Sequence, residues 1–175
     1  MLRLPPTFLL YGLMAVAGWA WLWAGGRRDP ARLWVSRDVG RDLALGLGVG
    51  AGVLALTRGA AAFSRNAAEM EAEFGRAIGR PPRVAIPALA MASAVGEEMF
   101  FRGALQAHAG VWVQAALFGA LHVPWSRKLA GWPVFAGLVG LLFGWTTAWT
   151  GNLWPSVLAH AAINQVNLWM IAERT

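Results

Sequence analysis

This chain has no cysteine, a single tyrosine and a single lysine, and only nine acidic residues among 175. The missing thiols exclude disulfides, a thiolate nucleophile and any cysteine-based zinc site. Charged residues make up 14% and hydrophobic ones 57%, which excludes an ordinary soluble domain, where about a quarter of positions carry charge. A net charge of +6 would suit nucleic acid. The charges, however, stand between long apolar runs rather than along one amphipathic face, so they describe membrane topology and no nucleic-acid partner is expected. What the chain has in excess is tryptophan, eleven in all, the residue that anchors helices at bilayer interfaces. At this length it makes one domain. Arginine far outnumbers lysine, and alanine and glycine abound, a composition that points to a GC-rich bacterial genome.

The expected fold class is all-α, a multi-pass transmembrane helical bundle of about six spans in a bacterial inner membrane. Residues 4–26 carry no charge and are long enough for a first span. Arg3 and Ala15-Val16-Ala17 also fit a signal peptide, but the further spans and Trp19, Trp21 and Trp23 favour a retained helix. A polar connector follows, and then the short uncharged run 43–57, with glycine at 46, 48, 50 and 52. No strand precedes these glycines and no acid follows them in nucleotide-binding register. They read as small-residue contacts that let helices approach closely. Residues 58–83 are polar and end at Pro81-Pro82, suggesting a helix lying on the membrane or a solvated connector. Spans over 84–106 and 103–126 come next. Residues 129–172 contain one ionisable side chain, His160, and as a single helix would reach ~66 Å, twice the ~30 Å of a hydrocarbon core. They must therefore make two spans, turned at Gly151-Asn152. This divides the chain into N-terminal spans with a cytoplasmic connector, 1–83, and a four-helix core, 84–175. Nine of the fifteen basic residues fall on the side shared by the two ends, which places both termini in the cytoplasm.

The chain's organising feature is Glu97-Glu98-Met99-Phe100-Phe101-Arg102. Ionisable groups inside a membrane are costly and mark function by default. Counting helical rise from the two turns expected on one face, near residues 107–109 and at 151–152, sets Glu97, His122, His160 and Asn164 all ~13–21 Å deep. Glu98 and Arg102 stand at i,i+4 and can pair. Glu97 is rotated ~100° from Glu98 and free to face the bundle. His160 and Asn164 share a face, as do Phe118 and His122.

Several hydrolase chemistries are excluded. The three histidines, 108, 122 and 160, form no His-Glu-x-x-His, and the three aspartates all lie in the first connector. A Ser156–His160 dyad lacks a glycine-rich elbow. His108, beside a turn, reads as solvated. A carboxylate and imidazoles remain. Glu97 would take a proton from an attacking water held with the help of His122, while His160 and Asn164 donate to the developing oxyanion. Glu98 with Arg102 would be the buried pair that fixes the site. Alternatively, Glu97, His122 and His160 have the ligand types of a catalytic divalent-metal site such as zinc, and residue order alone leaves that choice open.

Glu-Glu-x-x-x-Arg at 97–102, Phe-x-x-x-His at 118–122 and His-x-x-x-Asn at 160–164 resemble, in this order, the CPBP family of CaaX-prenyl endopeptidases and bacteriocin-processing proteins, also called Abi. The resemblance covers about half the chain. It implies an intramembrane glutamic-type protease, in which Glu97 and His122 activate water and His160 and Asn164 form the oxyanion hole; the family has also been described as metalloproteases. Glu98, Arg102 and Phe118 carry over as supporting motif positions. The implied partners are membrane lipid and a protein or peptide substrate. A non-catalytic alternative is an immunity or regulatory protein of the same fold that binds a bacteriocin or another partner.

Overall fold

The computed structural model describes residues 4–26 and 29–174. Arg3, Arg27 and Arg28, which enter the charge count above, lie outside them, as does the side chain of Arg174. Among the described residues the chain is predominantly helical and has no strand. Helix α1 spans Leu4–Gly25, α2 Val39–Phe63, α3 Arg65–Ile78 and α4 Ile86–Glu97. The last continues into a π-helix, Glu98–Leu105, and then into α5, Gln106–Leu121. Helices α6, Trp132–Thr150, and α7, Trp154–Arg174, complete the bundle.

Local chemistry sets these boundaries. The Asp38 carboxylate accepts from the Arg41 amide at 2.9 Å and starts α2, and Ser64 caps α3. Helix α2 is 25 residues long, so the short run 43–57 is the middle of a full span. Four helical stretches are long and apolar enough to cross a membrane: Leu4–Gly25, Val39–Phe63, Arg83–Leu121 and Arg127–Thr150. Within Arg83–Leu121, Gly110 adopts φ 84° and ψ 170°, open only to glycine. There the chain folds back on itself, bringing the Phe118 ring 4.9 Å from that of Phe101. Gly151, at φ 75°, ends α6 in the left-handed conformation, and Asn152 Oδ1 accepts from the Trp154 amide at 2.9 Å to begin α7. The two expected turns are therefore present, and α7 supplies the sixth leg of an all-α bundle.

Close approach of backbones holds the legs together. A Cβ on Gly46 would lie 2.8 Å from Leu158 Cβ, and one on Gly50 3.2 Å from the Ala159 carbonyl, whereas Gly48 and Gly52 face open space. Only one of the two glycine pairs is thus a helix contact, between α2 and α7. In the same way Gly18 meets Met99 and Gly96 meets Tyr11, which seats α1 on α4 and the π-helix. On the side of the Gly151 turn, buried Asp42 accepts from Ser36 Oγ at 2.7 Å and Asn152 Nδ2 at 2.8 Å. Trp154 Nε1 donates to the Trp34 carbonyl at 2.8 Å, so the first connector is tied to the α6–α7 turn. At the opposite end, α3 lies across the bundle. Its Phe74 ring packs on Trp125 and Trp132, and its Glu71 pairs with Arg58 at 2.8 Å.

Candidate active site

Helices α4 and α7 run antiparallel with two polar pairs facing across the seam. Asn164 Nδ2 donates to Ser93 Oγ at 2.9 Å, and one turn further His160 Nε2 stands 3.9 Å from Glu97 Oε2. Ser93 is buried and its hydroxyl donates to the Ala90 carbonyl at 3.1 Å. The second carboxylate completes the arrangement. Glu98 Oε1 accepts from His160 Nδ1 at 2.8 Å and from Arg102 Nη1 at 3.1 Å, with both side chains of that ion pair fully buried. Arg102 in turn lies among aromatic faces, 4.2 Å from the centroid of Phe118 and 5.4 Å from that of Phe143. Phe118 is the apolar seat of the guanidinium.

Arg102, Glu98 and His160 therefore form a chain that fixes the imidazole and turns its Nε2 towards Glu97. A separation of 3.9 Å is too long for a direct hydrogen bond. It leaves room for one water or one carbonyl oxygen touching both groups. The Ser156–His160 dyad does not form, because Ser156 Oγ is engaged by Thr147 at 2.6 Å and by the Phe143 carbonyl at 3.2 Å.

His122 departs from the expectation of a common depth. Its Nδ1 is bonded to the Phe118 carbonyl at 2.6 Å, and its ring packs against Trp132 at 5.5 Å, whereas the His160 ring packs against Phe143. Trp132 and Phe143 are about eleven residues, or ~16 Å of backbone rise, apart on α6, and the Phe118 ring bridges part of that gap, lying 4.5 Å from the His122 ring and 4.2 Å from the Arg102 guanidinium. Two local features cause this. The hairpin at Gly110 lies beside Gly144, since a Cβ on Gly144 would meet Val111 at 2.6 Å, and so stops ~10 Å short of the Gly151 turn. Pro124 then ends α5 at Leu121, because a helical proline lacks the amide and crowds the preceding turn. The expected span to residue 126 is a half-span. His122 makes no bond to Glu97, His160 or Asn164 among the described residues, and no three His, Asp or Glu side chains converge there closely enough to hold a metal. The ligand set Glu97, His122, His160 is not assembled.

His108 also differs from the solvated reading. It is half-buried, stacked on Trp21 with centroids 5.0 Å apart, and its Nδ1 bonds the Ala104 carbonyl at 2.9 Å. Ser93 is the polar residue that sequence reasoning missed. Its place four residues before Glu97, matching Asn164 four after His160, was the available signal.

Residues 80–166, about half of the chain, match the Rce1-like family, described as type II CAAX prenyl endopeptidase Rce1-like. An 80-residue stretch is 40% identical to the uncharacterized protein YpbD of Bacillus subtilis (strain 168), covering 45% of this chain and 41% of that protein. The chain thus spans well under half of that relative's length. No solved structure matches.

Proposed function

Residues 80–166 belong to the Rce1-like family, and from that premise we propose that the protein is an intramembrane endopeptidase hydrolysing a peptide bond in a membrane-associated protein or peptide. The observation that carries the reading is the buried facing of Glu97 and His160, with the imidazole held by Glu98 and Arg102.

A water seated between Glu97 and His160 loses a proton to the Glu97 carboxylate as its oxygen attacks the scissile carbonyl carbon. The carbonyl oxygen becomes an oxyanion, and its partners are the His160 Nε2–H and an Asn164 amide hydrogen. Such donors are worth ~3–4 kcal/mol each in other proteases. With Nδ1–H given to Glu98, His160 must be an imidazolium to donate from Nε2. The protonated Glu97 then delivers its proton to the leaving amine, which restores the carboxylate. His122 has its Nδ1 engaged and stands further along the bundle, so we assign it to contact with the substrate rather than the water.

On this reading residues 84–175 are the working core, the membrane is a bacterial inner membrane and both termini are cytoplasmic. The test is mass spectrometry of membrane peptides from cells expressing the wild type or Glu97→Gln. Fragments should appear with the wild type and vanish with the folded variant. Equal fragments from a folded Glu97→Gln protein would remove the enzyme and leave a binding role for the same fold.

A further inference from the structure

Where the 80–83 connector meets the end of α7, a cleft of about 370 Å³ opens, lined by Arg80, Pro81, Pro82, Arg83, Ala172 and Glu173. It lies at the end of the bundle opposite the Gly151 turn, away from Glu97 and His160. Arg80 and Arg83 are exposed, and their guanidinium groups have no hydrogen bond or ion pair among the described residues. The Arg83 guanidinium lies 5.6 Å from the Trp169 ring centroid. Glu173 Oε1 accepts from Trp169 Nε1 at 2.8 Å. Two guanidinium groups whose N–H donors are unused are suited to a phosphate, which they can grip through paired N–H donors. A carboxylate in the same cleft would repel a purely anionic ligand but would attract a ligand that also carries an ammonium group. Apolar surface adjoins these charges: Val84 is 92% exposed and Trp169 39% exposed. An indole beside arginine at the end of a helix of a membrane bundle marks the level of the lipid headgroups.

We propose that this cleft binds the headgroup of a phosphatidylethanolamine, with the phosphate between Arg80 and Arg83, the ammonium at Glu173 and the acyl chains along Val84 and Trp169. The site stands independently of the proteolytic reading. It gives the cytoplasmic end of α7, the helix that carries His160 and Asn164, a fixed lipid contact.

The experiment titrates the delipidated full-length protein in detergent with phosphatidylethanolamine, phosphatidylglycerol and phosphatidylcholine, and reads bound lipid by native mass spectrometry. Soluble O-phosphoethanolamine and inorganic phosphate serve as arms without acyl chains. The ethanolamine lipid should bind tightest and either soluble arm far more weakly. Arg80→Gln and Arg83→Gln should each weaken binding of both the ethanolamine and the glycerol lipid about tenfold, the effect of losing one charge-assisted bond. Glu173→Gln should abolish the preference for ethanolamine while leaving the glycerol lipid bound at least as well. Arg83 also covers Trp169, so Arg80→Gln, which leaves that ring contact in place, is the cleaner variant. Equal binding of the three lipids by the wild type, unchanged binding in Arg80→Gln, or O-phosphoethanolamine binding as tightly as the lipid would each overturn the proposal.

Discussion

Two neighbouring carboxylates should respond oppositely to the same one-atom change. Glu98 is fully buried and accepts from Arg102 at 3.1 Å and from His160 at 2.8 Å. Replacing it with glutamine leaves the Arg102 cation uncompensated among phenylalanine rings. Removing one charge of a buried pair costs ~3–5 kcal/mol, and glutamine still offers one accepting oxygen, so the lower end is expected, about 3 kcal/mol. At ~2–4 °C per kcal/mol for a chain of this size, the midpoint of unfolding should fall by roughly 6–12 °C. The Glu97 side chain makes no hydrogen bond among the described residues, stands 3.9 Å from His160 and is 14% exposed. Its change to glutamine should cost under ~1 kcal/mol, like a weakly coupled ion pair. Thermal unfolding of the purified variants in one detergent, followed by tryptophan fluorescence, measures both. A Glu97→Gln protein as unstable as Glu98→Gln, or a Glu98→Gln protein as stable as the wild type, would refute the division into a working carboxylate and a fixing one.

Packing in the glycine run is testable in the same assay. Gly46→Val drives a side chain into Leu158 and the Pro155 carbonyl and should cost ~1–3 kcal/mol by overpacking. Gly48→Val, facing open space, should be neutral, and equal effects would refute the α2–α7 contact. His122→Ala should raise KM about tenfold while leaving kcat within about threefold, as expected when binding rather than transition-state stabilisation is lost. A kcat collapse at unchanged KM would return His122 to the water. Because no three ligands converge among the described residues, cleavage should survive exhaustive chelation. Loss of cleavage that zinc restores would reinstate a metal mechanism.

The parts of the site readable in the sequence are those that depend on helical phase within one leg. Glu98 and Arg102 at i,i+4, His160 and Asn164 at i,i+4, and Gly151-Asn152 as a turn are all set locally, and the structure contains each. The six-leg all-α layout was readable for the same reason, since the length of an apolar run fixes the count of legs. The bond from His160 Nδ1 to Glu98 was not readable. It crosses from α7 to the π-helix over 62 residues, and no periodicity announces where an α-helix widens into a π-helix. Such widening is frequent at functional sites. Here it falls on the segment Glu98–Leu105, which carries both members of the buried pair.

The misplaced histidine shows where counting along the chain loses its authority. Depth computed from a turn assumes that each turn reaches the membrane face and that each leg continues to the other side. Gly151 meets the first condition, being tied to the first connector through Asn152 and Asp42. Gly110 does not: it lies beside Gly144, well short of Gly151 along α6, and Gln106 and Gln114 next to it point inward, donating to the Gly144 and Gly140 carbonyls at 2.9 Å each while their Oε1 atoms stay buried without a partner. The short leg after it, ended by Pro124, then carries His122 past the level of His160 and towards Trp132. The candidate site is therefore built on the α4–α7 seam, with α5 contributing through Phe118 to the seat of Arg102. It follows that changes at Phe118 should act on the Arg102–Glu98–His160 chain, and changes at His122 on whatever enters from the end covered by α3.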